Sequence, residues 1–161
     1  NRMKDLGSLK LVDAGNIHLT LKFLGDVDEK NVDKIIECLG GLSGMSGFDV
    51  SLTGVGVFPK PSYARVVWVG VDRGNREIVE LHKVIDRELA PLGFEGDKRF
   101  SAHFTIARVK GIRDKKGFKE ILDDYSKTEF GDFHVGGVEF MRSELKRSGP
   151  VYSLVHRFEF K

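Results

Sequence analysis

A chain of 161 residues is long enough for one well-cored domain, or for two half-sized lobes sharing a core, and too short for two independent domains of ordinary size. With 26 Lys and Arg against 24 Asp and Glu the net charge is only +2, so no global field marks a nucleic-acid binder and any anionic partner must be met by local clustering. The single cysteine, Cys38, excludes an internal disulfide and a cysteine-based metal cluster; no apolar run approaches the roughly 20 residues of a membrane helix and no signal-peptide pattern opens the chain, so the expectation is a cytoplasmic protein without a membrane partner.

The opening NRMKDLG begins no clean strand or helix; a fragment of a helix there would fit the repeat, with residues expected to be missing before Asn1. SLKLV at 8–12 alternates like a strand, and DAGN at 13–16 is turn chemistry. HLTLKFLG at 18–25 then predicts a strand with Leu19, Leu21 and Phe23 on one face and His18, Thr20 and Lys22 on the other. A helix follows, with Asp28 as N-cap, Val32, Ile35, Ile36 and Leu39 at helical spacing, and Gly40-Gly41 as its stop. FDVSLTGVGVFP and YARVVWVGV read as two strands joined through PKPS, and 75–89 as a helix with Ile78, Leu81, Val84, Ile85 and Leu89 on one side.

The order then repeats. HFTIARVK at 103–110 is a second His-x-Thr strand, and the helix after it starts at Asp114 and lines up Phe118, Ile121, Leu122 and Tyr125. DFHVGGVEFMRS and PVYSLVHRFEF close the chain as strands. The repetition predicts a duplicated, two-lobed α+β fold in one domain spanning 1–161, its antiparallel sheets flanked by helices about a pseudo-twofold, with a central cleft.

Each lobe offers one imidazole and one hydroxyl on the same strand face: His18 with Thr20, His103 with Thr105. With an unperturbed pKa of about 6.5, one histidine can accept a proton near neutrality while the other donates one. In-line displacement at phosphorus needs both roles on opposite sides of one atom, and the threonines could hold the non-bridging oxygens. A metal site would want a third ligand, and no carboxylate sits beside either motif at ligand spacing, so neither metal nor cofactor is expected. The glycines of GVGVFP open no helix and no Walker-type G-K-[ST] exists, which argues against ATP-driven ligation.

HLTLKFLG and HFTIARVK resemble the paired His-x-Thr signatures of the two-histidine (2H) phosphoesterase superfamily, in particular its RNA 2′,3′-cyclic phosphodiesterase branch, also called 2′-5′ RNA ligase. GVGVFPKPSYARVVWVGV at 54–71, LGFEGDKRFSAHFTIARVK and SELKRSGPVYSLVHRFEF at 143–160 resemble further segments of that family, while Ala102 stands where its members commonly have Pro. The resemblance implies that His18 and His103 are the catalytic pair and that Thr20 and Thr105 hold the phosphate. The reaction it implies opens a 2′,3′-cyclic phosphate at an RNA end to a 2′-phosphate. In reverse, with a 5′-hydroxyl as nucleophile, it would make a 2′-5′ linkage.

Other residues carry weaker signals. Arg108 suits a phosphate clamp, but strict alternation puts it on the face opposite His103, and only a bulge or the strand's end would bring it round. Lys22, Phe58, Tyr63 and Tyr152 could touch substrate, the aromatics by stacking a base, with core packing the competing fate of Phe58 and a solvated edge that of Lys22. Lys98, Arg99, Lys110, Arg113, Lys115 and Lys116 flank the second motif as a basic track or a solvated surface. His82, His134 and His156 read as surface or satisfied core residues. Two readings compete with the RNA-end enzyme: a monomeric phosphodiesterase for small nucleotides such as a cyclic phosphate of ADP-ribose, and a module that binds RNA ends without turnover.

Overall fold

Valine-rich alternation over two neighbouring segments builds the centre of the molecule. In the computed structural model, which describes residues 6–147 and 149–161, β2 (Phe48–Phe58) and β3 (Val66–Val71) pair as antiparallel neighbours. With β1 (Gly7–Leu11), β4 (His103–Ile112) and β5 (Glu129–Val135) they form a five-stranded antiparallel sheet in the order β1-β4-β3-β2-β5. β6 (Gly137–Lys146) and β7 (Gly149–Glu159) make a separate two-stranded sheet. The helix remnant read in the opening segment falls on residues 1–5, outside the described residues.

Three helices cover the apolar faces. α1 (Val32–Leu39) and α2 (Asn75–Leu89) pack Ile35, Leu39, Leu81, Ile85 and Leu89 together with Phe158 of β7. α3 (Lys115–Asp124) sets the fully buried Phe118, with Leu122, against Val57, Val67, Ala107 and Val109 of the large sheet. The caps read from the sequence are in place. Asp114 accepts from the Gly117 amide (3.0 Å) at the start of α3, and Asp28 accepts from the Lys30 amide (3.2 Å) at the 3-10 turn that leads into α1.

The structure departs from the sequence reading in three places. Residues 17–24 enter no sheet: they have no ladder partner among the described residues, and the Leu21 carbonyl accepts a hydrogen bond from the His82 ring instead. Leu21 and Leu24 reach the α1–α2 cluster, so strict alternation is lost and Phe23, expected on the core face, is 81% exposed. DFHVGGVEFMRS is two strands in different sheets, divided at Gly136. The sheets are therefore unequal, and the repeat is clearer in the motifs than in the strand count.

Two irregularities shape the open face of the large sheet. Trp68 faces Thr105 across the β3–β4 ladder while Val67 faces Ala107, so Ile106 is an extra residue on β4, a β-bulge that reverses the parity of everything after it. On β2, Gly56 faces Trp68, and the indole lies over it so closely that a Cβ there would collide with the six-membered ring at Cζ2. Gly56→Ala must push the ring off the sheet, an overpacking cost of about 1–3 kcal/mol. Because Trp68 is the sole tryptophan, its emission should shift to the red as the melting temperature falls; unchanged emission with unchanged stability would contradict this packing.

Candidate active site

β4 carries the second motif. Opposed residues of an antiparallel pair share a face. His103 lies opposite Gly70, Thr105 opposite Trp68 and Arg108 opposite Val66, and these three β3 positions share one face. The bulge at Ile106 is thus what carries Arg108 round to the side of His103 and Thr105, while Ala107 and Val109 turn into the core. Phe58, opposite Val66 on β2, joins the same face and meets the His103 ring edge-on at 5.0 Å between centroids. Lys10 of β1 is paired with Arg108, adding a second cation.

The imidazole of His103 is held by its own backbone. Its Nδ1 lies 2.7 Å from the Ser101 carbonyl oxygen, which can only accept, so Nδ1 carries the proton. Nε2 is then the working atom, a lone pair when the ring is neutral and an N–H when it is charged.

The first motif repeats this arrangement outside any sheet. His18 Nδ1–H donates to the Asn16 carbonyl, also at 2.7 Å and also two residues earlier, and the ring meets the edge of Tyr152 on β7 at 5.1 Å. His18 and Thr20 are exposed, whereas His103 and Thr105 are half-buried. The two motif segments border one apolar cluster: Leu19, next to His18, and Ala102, next to His103, both pack with Val50 and Ile78. No hydrogen bond or ring contact joins the two imidazoles among the described residues. A cleft of about 830 Å³ is lined by His18, Thr20, Tyr152 and Arg142, and by Phe104, which lies between His103 and Thr105 in sequence.

The remaining sequence candidates sort by burial. Lys22 is turned inward, away from the solvated edge: its side chain is 4% exposed, its ammonium bonds Asp86 Oδ1 (2.5 Å) and the Glu95 carbonyl (2.8 Å), and Asp97 lies 3.7 Å away. A lone apolar-flanked lysine in sequence gives no hint of carboxylates so distant along the chain. Tyr63 is 54% exposed, and the Arg65 guanidinium both bonds its hydroxyl and lies over its ring at 4.4 Å. Lys98, Arg99, Lys110, Arg113, Lys115 and Lys116 are exposed, and Lys116 lies 3.8 Å from Glu120. His134 pairs with Asp49, whose carboxyl it holds below the usual range, and His156 packs on Phe158. Lys10 and Trp68 escaped the sequence reading, because only the strand register places them beside Arg108 and His103.

The family model for LigT like phosphoesterase matches residues 2–68 and 69–152. The chain belongs to that family. A relative named RNA 2′,3′-cyclic phosphodiesterase from Methanocaldococcus jannaschii is 37% identical over 91% of this chain and 82% of its own length. Among solved structures, TT0787 of Thermus thermophilus superposes with a TM-score of 0.82 at 26% identity, covering 98% of this chain and 85% of that one. LigT of E. coli in complex with 3′-AMP gives 0.70 at 25% identity, covering 94% and 80%.

The face shared by His103, Thr105, Arg108 and Lys10 sets two cations beside an imidazole and a hydroxyl, a composition that would suit an anion. A charge-assisted bond from Arg108 is worth about 1.5–3 kcal/mol, so Arg108→Ala should weaken binding of inorganic phosphate about tenfold or more. Titration followed by Trp68 emission would read the loss, with Arg113→Ala as the control expected to bind normally; equal affinity in wild type and Arg108→Ala would remove Arg108 from the site.

Proposed function

We propose that this chain hydrolyses the 2′,3′-cyclic phosphate at RNA ends to a 2′-phosphate, with His18 and His103 as its acid and base and without a metal. The observation that carries the reading is the matched commitment of both Nδ1–H groups to backbone carbonyls two residues earlier, which leaves two Nε2 atoms of defined tautomer. One Nε2 takes a proton from the attacking water as its oxygen bonds phosphorus. The other gives a proton to the departing 3′-oxygen as the P–O bond breaks, so protons balance, and proton exchange with solvent returns each ring to its starting state before the next turnover.

Thr20 and Thr105, each two residues beyond its histidine, would donate to the non-bridging oxygens, and Arg108 would offset their growing charge. Tyr152, already against His18, and Phe58, against His103, would flank the reacting nucleotide, and Tyr63 with Arg65 would extend the contact to a further base. Run backwards with a 5′-hydroxyl in place of water, the same groups would form a 2′-5′ linkage. The relatives named RNA 2′,3′-cyclic phosphodiesterase support the substrate class. We take the working form to be a cytoplasmic monomer.

A second reading, hydrolysis of small cyclic nucleotides, is favoured by one finding: the structurally similar E. coli LigT has been captured with the mononucleotide 3′-AMP. The test is turnover of a short RNA ending in a 2′,3′-cyclic phosphate in excess chelator, with the product identified by phosphorus NMR. The expected result is a 2′-phosphomonoester, a bell-shaped pH profile with one acid and one base limb, and kcat/KM at least tenfold above that for the cyclic mononucleotide. Loss of turnover on chelation, or a 3′-phosphate product, would contradict the mechanism; a preference for the mononucleotide would favour the second reading; tight RNA binding without turnover would indicate a binding module.

A further inference from the structure

Three titratable side chains outside the proposed chemistry are withdrawn from solvent: Lys22, His82 and, on the next turn of α2, Asp86. Their contacts fall into a pattern. His82 Nδ1–H donates to the Leu21 carbonyl (2.8 Å) in the first motif's segment, while its ring stacks on Phe100, three residues before His103, with centroids 4.0 Å apart and planes within 9°. Asp86 does the same with charge. One oxygen takes the Lys22 ammonium at 2.5 Å, and the other accepts from the Asp97 amide at 2.9 Å in the loop that leads to the second motif.

Each of these two α2 residues thus grips both motif segments. The grip matters because residues 17–24 have no sheet to hold them, and the approach to β4, from 93 to 102, is irregular apart from its contacts. Lys22 and its partners hold the Asp86 carboxyl below its ordinary range against the opposing effect of burial, so it is ionised at working pH and the ion pair is present there. His82, Asp86 and Asp97 also bring ligand atoms within 4.8 Å of one another, a spacing that would suit a metal. The Lys22 ammonium already meets that negative charge, so the cluster is a structural clamp.

We propose that His82 and Asp86 are positioning residues, a brace on α2 that sets the separation and orientation of His18 and His103. The proposal deepens the two-histidine reading and rests on it. A brace of this kind acts on kcat more than on KM, because displacing a proton donor by about 1 Å can cost on the order of a hundredfold in rate while leaving the phosphate contacts intact.

The test uses Asp86→Asn, which keeps the shape and one acceptor but loses the charge, and His82→Phe, which keeps the stack on Phe100 but loses the bond to Leu21. Each is first shown to be folded by circular dichroism. Asp86→Asn is expected to lose about 10- to 100-fold in kcat on the cyclic-phosphate RNA with KM changed less than about threefold. In 15N spectra of the imidazoles, the Nδ1–H signals of both His18 and His103 should move in Asp86→Asn, and His18 alone should move in His82→Phe.

A folded Asp86→Asn with wild-type kcat, or with either histidine's signals unmoved, would overturn the brace. So would a folded His82→Phe with His18 unmoved. Because the imidazole spectra need no turnover, a wild-type chain inactive on RNA would count against the proposed function while the spectra still decide the brace.

Discussion

An imidazole whose Nδ1–H is spent on a carbonyl two residues back has one free nitrogen and very little rotational choice. Everything else about the site follows from having that bond twice, at Asn16–His18 and at Ser101–His103. The bond is local, so a segment needs no sheet to make it. That explains how two motifs in such different settings, one at the start of a sheet strand and one in a stretch with no ladder partner among the described residues, present the same donor and acceptor. A neutral ring so held is a base at Nε2 and a charged one an acid, which is the pairing a displacement at phosphorus requires.

The surroundings differ more than the rings do. His103 is half-buried against Phe58 on a face that also holds Thr105, Arg108 and Lys10, whereas His18 is exposed and meets the edge of Tyr152. Arg108 and Lys10 therefore lie on the second motif's side, and Arg108 is there through a single extra residue, Ile106, whose bulge turns Arg108 outward and Ala107 inward together. On the first motif's side, what the sheet does not supply α2 does, through the Leu21 carbonyl and the Lys22 ion pair.

The sequence made much of this readable. His-x-Thr written twice pointed to His18, Thr20, His103 and Thr105 as the residues to examine, helical spacing placed α2 at its observed bounds, and Asp28 and Asp114 marked the starts of two helical segments correctly. The misreadings share a cause: period-2 reasoning describes a strand only while its ladder is regular. It could place Arg108 beside His103 only on condition of a bulge, which is a property of two strands in register, and it put Phe23 in the core because residues 17–24 pair with nothing among the described residues. Lys22 looked like an edge lysine because its partners are 64 and 75 positions away, on a helix and a loop that only the fold brings near.

The central claim is that His18 and His103 work as one unit on one phosphorus atom. The direct measurement is kcat on a cyclic-phosphate RNA end for His18→Ala, His103→Ala and the double variant, all folded. The account predicts that each single change costs about 10²- to 10⁴-fold and that the double variant falls little further than the worse single one, because either loss alone breaks the proton relay. Losses that multiply in the double variant, or a single variant that keeps its rate, would show that the two histidines do not share the reaction.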